Sequence, residues 1–297
     1  MEEYENFIGV LLERIRDNNI ILRYNSLLAL DILSILQLKA RVEHFSFALF
    51  YLLIKKETGQ ISSLLENDEE LDIAITIEIL LLTADILDDI IDDDDEITKI
   101  CGKEVLMLLV TELLVWSINK LSLIPLYHKN SKYLNEALYG EWNDINFKFT
   151  DELIDEEFYF RKILKKSESL FNFVCGIADD DNEEVWKKFS EYYAAYLQIN
   201  NDVSDIYNSN KSDIDKKRVT LPLIKAYQLY TNEVTDASIN SNLSFQKFSI
   251  DSGAIEYSLM IQLEYKNQCK QLLKSYFNND QILDYLELDD ESKNTSV

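Results

Sequence analysis

Proline and glycine are almost missing. The 297 residues hold 2 Pro and 6 Gly, far below average usage. A sheet-rich fold needs Gly- and Pro-bearing turns between its strands, and this chain cannot supply them. Histidine is nearly absent too: His44 and His128 are the whole complement. An imidazole-centred metal site or a Ser-His-Asp triad therefore finds little material. The 3 cysteines, Cys101, Cys175 and Cys269, are widely spaced and form no Cys-x-x-Cys pair. They read as reduced thiols of a cytosolic protein, not as a zinc or disulfide framework. Positive charge is scarce: 29 Lys and Arg stand against 54 Asp and Glu, a formal net charge of −25. Nucleic-acid-binding surfaces are basic, so no nucleic acid is expected as a partner. The first residues lack the basic region of a signal peptide. The longest strongly apolar stretch, Val105 to Ile118, is interrupted by Glu112 and too short for a bilayer. The expectation is a cytoplasmic protein with no transmembrane segment.

What is present is a helical pattern. Hydrophobic residues make up 47% of the chain, enough for a sizeable core. Apolar positions recur at helical spacing almost throughout. The approximate segments are 3–17, 24–38, 41–57, 70–92, 103–121, 131–148, 152–176, 183–207, 219–231, 254–278 and 280–288. The polar stretch 233–252 reads as a loop, and 289–297 as a frayed tail. With no repeat and no Pro/Gly/Ser-rich linker, residues 1–288 read as one all-α domain, a helical bundle.

One segment stands apart. Between Ile73 and Leu87 the chain is apolar nearly all round, as in a helix buried in a core. It runs straight into Asp88-Asp89-Ile90-Ile91-Asp92-Asp93-Asp94-Asp95. Asp88 and Asp92 lie one helical turn apart, with Asp85 a turn earlier and Asp89 about 100° round. Like charges so placed repel unless a cation answers them. Carboxylates at this spacing suit a hard ion such as Mg2+, whose shell substrate phosphates complete. A second cluster repeats the spacing at Asn201, Asp202 and Asp205, where Asn201 offers a carbonyl oxygen without charge. Lys211, Lys216, Lys217 and Arg218 follow it. Two oxygen-rich clusters with bases nearby describe a cage for metal ions and an anionic polyphosphate.

These residues resemble the trans-type polyprenyl diphosphate synthases, the isoprenoid synthase family. Its members carry a DDxxD motif on one helix and a DDxxD-like motif on the helix facing it. The first is similar to Asp88-Asp89-Ile90-Ile91-Asp92, with Glu78 ten residues upstream; the second is similar to Asn201-Asp202-Val203-Ser204-Asp205. Gly140-Glu141 stands where Gly-Gln is common, and Lys166-Ser167 where Lys-Thr is usual. Lys211-Ser212-Asp213-Ile214 and Arg218-Val219-Thr220-Leu221-Pro222 resemble the motifs that follow. The resemblance implies an all-helical isoprenoid-synthase bundle with a central active-site cavity, and a homodimer.

Two departures narrow the function. Chain-elongating members bind a second diphosphate through a G-K-R-x-R-P loop upstream of the first motif and an R-R-G after it. Here Thr58-Gly59-Gln60-Ile61-Ser62-Ser63 carries no basic run, and Glu96-Ile97-Thr98-Lys99-Ile100-Cys101-Gly102-Lys103 holds no arginine pair. A second anionic substrate would lack counter-charge in a protein already at −25. The chain is more similar to the ComQ-like pheromone prenyltransferase branch, which modifies a tryptophan of a quorum-sensing precursor. The resemblance implies Mg2+-dependent ionisation of an allylic prenyl diphosphate and transfer to a small Trp-containing peptide. In that reading Asp88, Asp92, Asn201, Asp202 and Asp205 hold metal, and Asp88, Asp89, Asp92 and Lys166 are catalytic. Lys166, Lys211 and Arg218 bind the diphosphate. Thr83 and Ala84, small residues one turn before Asp88, floor the prenyl pocket and leave room for a farnesyl or longer chain. A terpene cyclase on the same scaffold needs no acceptor and stays open. Chain elongation and an inactive regulatory subunit rank below both.

Overall fold

The computed structural model describes residues 2–28, 46–92, 102–207, 213–233, 242–277 and 281–288. All regular structure among them is helical. In chain order the helices are α1 (Glu2–Arg16), α2 (Asn19–Leu28), α3 (Phe47–Glu57), α4 (Asp68–Asp92), α5 (Lys103–Leu121), α6 (Pro125–Asn130) and α7 (Lys132–Asn146). Then come α8 (Glu156–Phe158), a π-helical turn (Tyr159–Ile163), α9 (Lys165–Ala178), α10 (Glu183–Tyr207) and α11 (Asp213–Lys216). The chain continues with α12 (Leu221–Glu233), α13 (Asn242–Asp251), α14 (Ala254–Tyr276) and α15 (Gln281–Tyr285). No helix among the described residues is long and apolar enough to cross a membrane.

The chain folds into two compact units. One is Met1–Lys129 with Val174–Asp180; the other is Asn130–Phe173 with Asp181–Val297. In the first unit α4 packs against α3, α5 and α1. Its apolar run is the reason: Ile77, Ile79, Leu80 and Leu81 are all buried. Glu78 is buried within that run, and its carboxylate accepts hydrogen bonds from Ala48 N at 2.7 Å and Ser46 Oγ at 3.1 Å. It thereby satisfies the amide end of α3, where Ser46 Oγ also accepts from Leu49 N. Burial pushes the Glu78 carboxyl up to about 7, against the bonds from Ala48 and Ser46, which favour its charged form.

In the second unit α10 and α14 form the main helix pair, with α12 against both. Aromatic rings fill one end of the unit: Trp186 stacks on Phe277, and Phe189 on Tyr193. At the other end Ile199, Val203 and Ile206 of α10 join Val219, Leu221 and Ile224 in one apolar cluster.

The structure departs from the sequence expectation in four places. The stretch expected as a loop contains α13, because Phe248 and Ile250 pack on that cluster and Gln246 donates to the Ile206 carbonyl at 2.6 Å. Tertiary packing there overrides a polar composition. The segment 152–176 is not one helix: it starts at Glu156, passes through the π-helical turn and restarts at Lys165. α6 is an addition to the expected helices, and α2 starts five residues before the expected position 24.

Candidate active site

The first unit carries the first acidic motif on α4. Asp85, Asp88 and Asp89 are half-buried, and Asp92 is the last residue of the helix. Positions 85, 88, 89 and 92 follow the i, i+3, i+4, i+7 pattern of a shared helix face. The helix dipole is negative at this end, and the last turn holds no basic residue. Acidic side chains here destabilise the helix end unless a cation answers them. Among the described residues no three His, Cys, Asp or Glu side chains converge as a metal cage. A divalent ion shared between one or two carboxylates and a phosphorylated ligand, as magnesium usually is, would supply that cation. The residues fit such an ion as partial ligands. One turn deeper, Thr83 is buried with its hydroxyl donating to the Ile79 carbonyl, and Ala84 is half-buried. Lys211 and the side chain of Asp92 lie outside the described residues.

The second unit carries the second motif on α10. Asn201 is exposed and Asp205 half-buried, one helical turn apart. Asp202 is different. It is 3% exposed, and its Oδ2 accepts from the Tyr159 hydroxyl at 2.6 Å and from Leu221 N at 3.2 Å. Its Oδ1 accepts from Gln198 Nε2 at 2.9 Å. This carboxylate, expected from the sequence to hold metal, also ties α10 to the π-helical turn and to the start of α12. Burial and the Asp202 charge push the Tyr159 phenol well above its ordinary value, so it stays a donor.

The bases assigned to the diphosphate meet carboxylates. Lys166 Nζ lies 2.7 Å from Glu141 Oε2. Arg218 is 8% exposed and its guanidinium donates to the Asp144 carbonyl at 3.1 Å and to Asp144 Oδ2 at 3.3 Å. Two motifs matched separately in the sequence, Gly140-Glu141 and Lys166-Ser167, prove to be one contact. A Cβ at Gly140 would lie 2.3 Å from Lys166 N and 2.8 Å from Lys166 Cα. Glycine is required for α7 to approach the start of α9 this closely.

Tyr159, Gln198 and Asp144 do not stand out in the sequence. Tyr159 reads there as one more aromatic at a core position. Gln198, four residues before Asp202, was legible as an i, i+4 donor.

The chain is 29% identical over 251 residues to the tryptophan prenyltransferase ComQ of Bacillus subtilis (strain 168), a match covering 76% of this chain and 81% of that protein. The chain is thus similar to a ComQ protein over most of its length. No protein-family model matches it. Solved structures agree on the fold. Heptaprenyl diphosphate synthase from Staphylococcus aureus superposes with a TM-score of 0.75 at 16% identity, covering 96% of each chain. A polyprenyl synthase from Caulobacter crescentus CB15, complexed with calcium and isoprenyl diphosphate, gives 0.70 at 17% identity, covering 97% of this chain and 93% of that one. The fold is that of the all-helical isoprenoid synthases.

The base-poor stretch 58–63 closes a helix end. Thr58 caps α3, its hydroxyl donating to the Ile54 carbonyl at 2.9 Å. Gln60 donates to Thr58 Oγ1 at 2.9 Å and to the Ala178 carbonyl at 3.0 Å. Lys55, just upstream, is buried and pairs with Glu70 at 3.1 Å and Gln60 Oε1 at 2.8 Å.

Proposed function

We propose that the chain is a prenyltransferase that ionises an allylic prenyl diphosphate with the help of Mg2+ and passes the prenyl group to a tryptophan of a small peptide. The observation that carries this is the acidic row Asp85, Asp88 and Asp89, half-buried at the negative pole of α4 with no basic residue in its last turn. Residues 1–288 act as one catalytic domain in this reading.

Asp88 and Asp92 of the first motif and Asn201, Asp202 and Asp205 of the second would hold the metal, with Asp89 in support. Magnesium, when bound, would neutralise the diphosphate and make it a better leaving group. Lys166, Lys211 and Arg218 add fixed positive charge where the diphosphate departs. Lys166 must exchange Glu141 for a phosphate oxygen as the substrate binds. No activated nucleophile is needed, because an indole ring is nucleophilic enough to capture an allylic cation. The departing diphosphate can take the ring proton. Thr83 and Ala84 would line the prenyl chain, and a donor of farnesyl length or longer fits their size. The capped, base-poor stretch after α3 supports an acceptor without a diphosphate. The enzyme would work as a cytoplasmic homodimer.

The test is incubation of the purified protein with magnesium and farnesyl or geranylgeranyl diphosphate, alone and with a Trp-containing peptide. A prenylated peptide, and no product without it, is expected. Hydrocarbon or alcohol formed from the diphosphate alone would show cyclisation instead. A longer diphosphate formed on adding isopentenyl diphosphate would show elongation.

A further inference from the structure

Asp202 draws donors from three places: Gln198 of its own helix, Tyr159 of the π-helical turn and the Leu221 amide at the first position of α12. We propose that Tyr159 is a positioning residue for the second acidic motif: its hydroxyl, acting through Asp202, fixes the rotation of the end of α10 that presents Asn201 and Asp205, and seats the start of α12 with it. The proposal rests on the reading of Asn201 and Asp205 as metal ligands.

The Tyr159 ring is fully buried and makes an edge contact with Phe160, whose ring meets Tyr265 of α14. Packing therefore fixes where the hydroxyl can reach. The π-helical turn begins at this residue, and such turns are rare and concentrate at functional places. It lies between α8 and α9, six residues before the first residue of α9, so Tyr159 sits close in sequence to Lys165 and Lys166. On α10 the side chains of Asn201 and Asp205 leave the helix beside that of Asp202. A carboxylate held by three donors cannot swing, so the neighbouring face cannot turn. The same carboxylate serves as acceptor for a first-turn amide of α12, which otherwise lacks a helical partner. That holds the residues from Arg218 to Leu221 in register with α10. Arg218, bonded to Asp144 of α7, closes the connection at the other side. One phenol thus supports both the second motif and the segment carrying Arg218.

Tyr159→Phe keeps the ring and removes the tether. Hydrogen exchange of the Leu221 amide, measured without metal, should speed up at least about tenfold. The magnesium concentration for half-maximal binding of inorganic pyrophosphate should rise about 10- to 100-fold. A residue that merely filled the core would lower the melting temperature and leave that midpoint in place. If Tyr159 acts through Asp202, adding Tyr159→Phe to Asp202→Asn should change the midpoint no further. Gln198→Leu, which removes another donor to Asp202, should shift the midpoint in the same direction and serves if Tyr159→Phe does not fold. An unchanged midpoint, or additive effects in the double variant, overturns the proposal. If the wild-type protein binds no pyrophosphate with magnesium, the functional reading itself fails. The Leu221 exchange then still decides the tether, and an unchanged rate overturns it.

Discussion

Gly140 and Lys166 are in backbone contact: a methyl group on residue 140 would overlap the Lys166 amide nitrogen at 2.3 Å. α7 and α9 touch here without side chains between them, and the contact puts Lys166 Nζ 2.7 Å from Glu141. Gly140→Ala must push α9 away, and neither contacting atom is the end of a flexible side chain. The expected loss is about 1–3 kcal/mol of stability, read from urea denaturation, with weaker pyrophosphate binding as Lys166 moves. Unchanged stability would mean the approach is looser than described.

Glu78 gives a pH dependence of definite sign. Its folded carboxyl titrates at about 7, above the ordinary value of 4.5. The folded state then holds this proton more tightly than the unfolded state. Its stabilising effect is complete below the unfolded value and is lost as pH rises through the folded one. Glu78→Gln keeps an oxygen acceptor for Ala48 and removes the charge. The variant should gain on the wild type between pH 5 and 8, by up to about 3 kcal/mol. Denaturation of both proteins at the two pH values checks this. A difference that stays flat would place the Glu78 ionisation outside that range.

Asp88→Asn should move stability and binding in opposite directions. It removes a like charge from the negative end of α4, worth about 0.2–0.5 kcal/mol per relieved pair. The metal-free variant should melt at the wild-type temperature or slightly above. Magnesium-dependent turnover should fall at least about 100-fold. A variant that loses activity only in step with its stability would make Asp88 a structural residue.

Glu141→Gln removes the carboxylate facing Lys166. The ammonium then gives up less when it meets a phosphate. Pyrophosphate affinity in magnesium should rise roughly fivefold, about 1 kcal/mol, measured by calorimetry. Weaker binding would show that Glu141 holds Lys166 in its productive place.

Much of this was readable in the residues. The helix carrying Asp88 announced itself because an all-round apolar run ending in acid has few physical explanations. The boundaries of α5 and α10 matched those expected: α10 separates an apolar from a polar face, and α5 is a largely apolar run that begins directly after Gly102. α13 was hidden because its fixing contacts, Phe248 on the core and Gln246 on Ile206, are with residues far away in sequence. The π-helical turn was hidden because Tyr159 and Ile163 fit an ordinary helical period equally well. Composition marked Asp202 as acidic and close to other ligands. It could not tell that Tyr159, Gln198 and the Leu221 amide would all donate to that carboxylate. Nor could spacing reveal that Gly140 and Lys166 are neighbours.

The most direct measurement is calorimetric titration of inorganic pyrophosphate into the protein with and without magnesium, repeated for Asp88→Asn and Asp205→Asn. The account predicts one magnesium-dependent site per chain, lost in either variant. Binding that needs no magnesium, or that survives both substitutions, would contradict it.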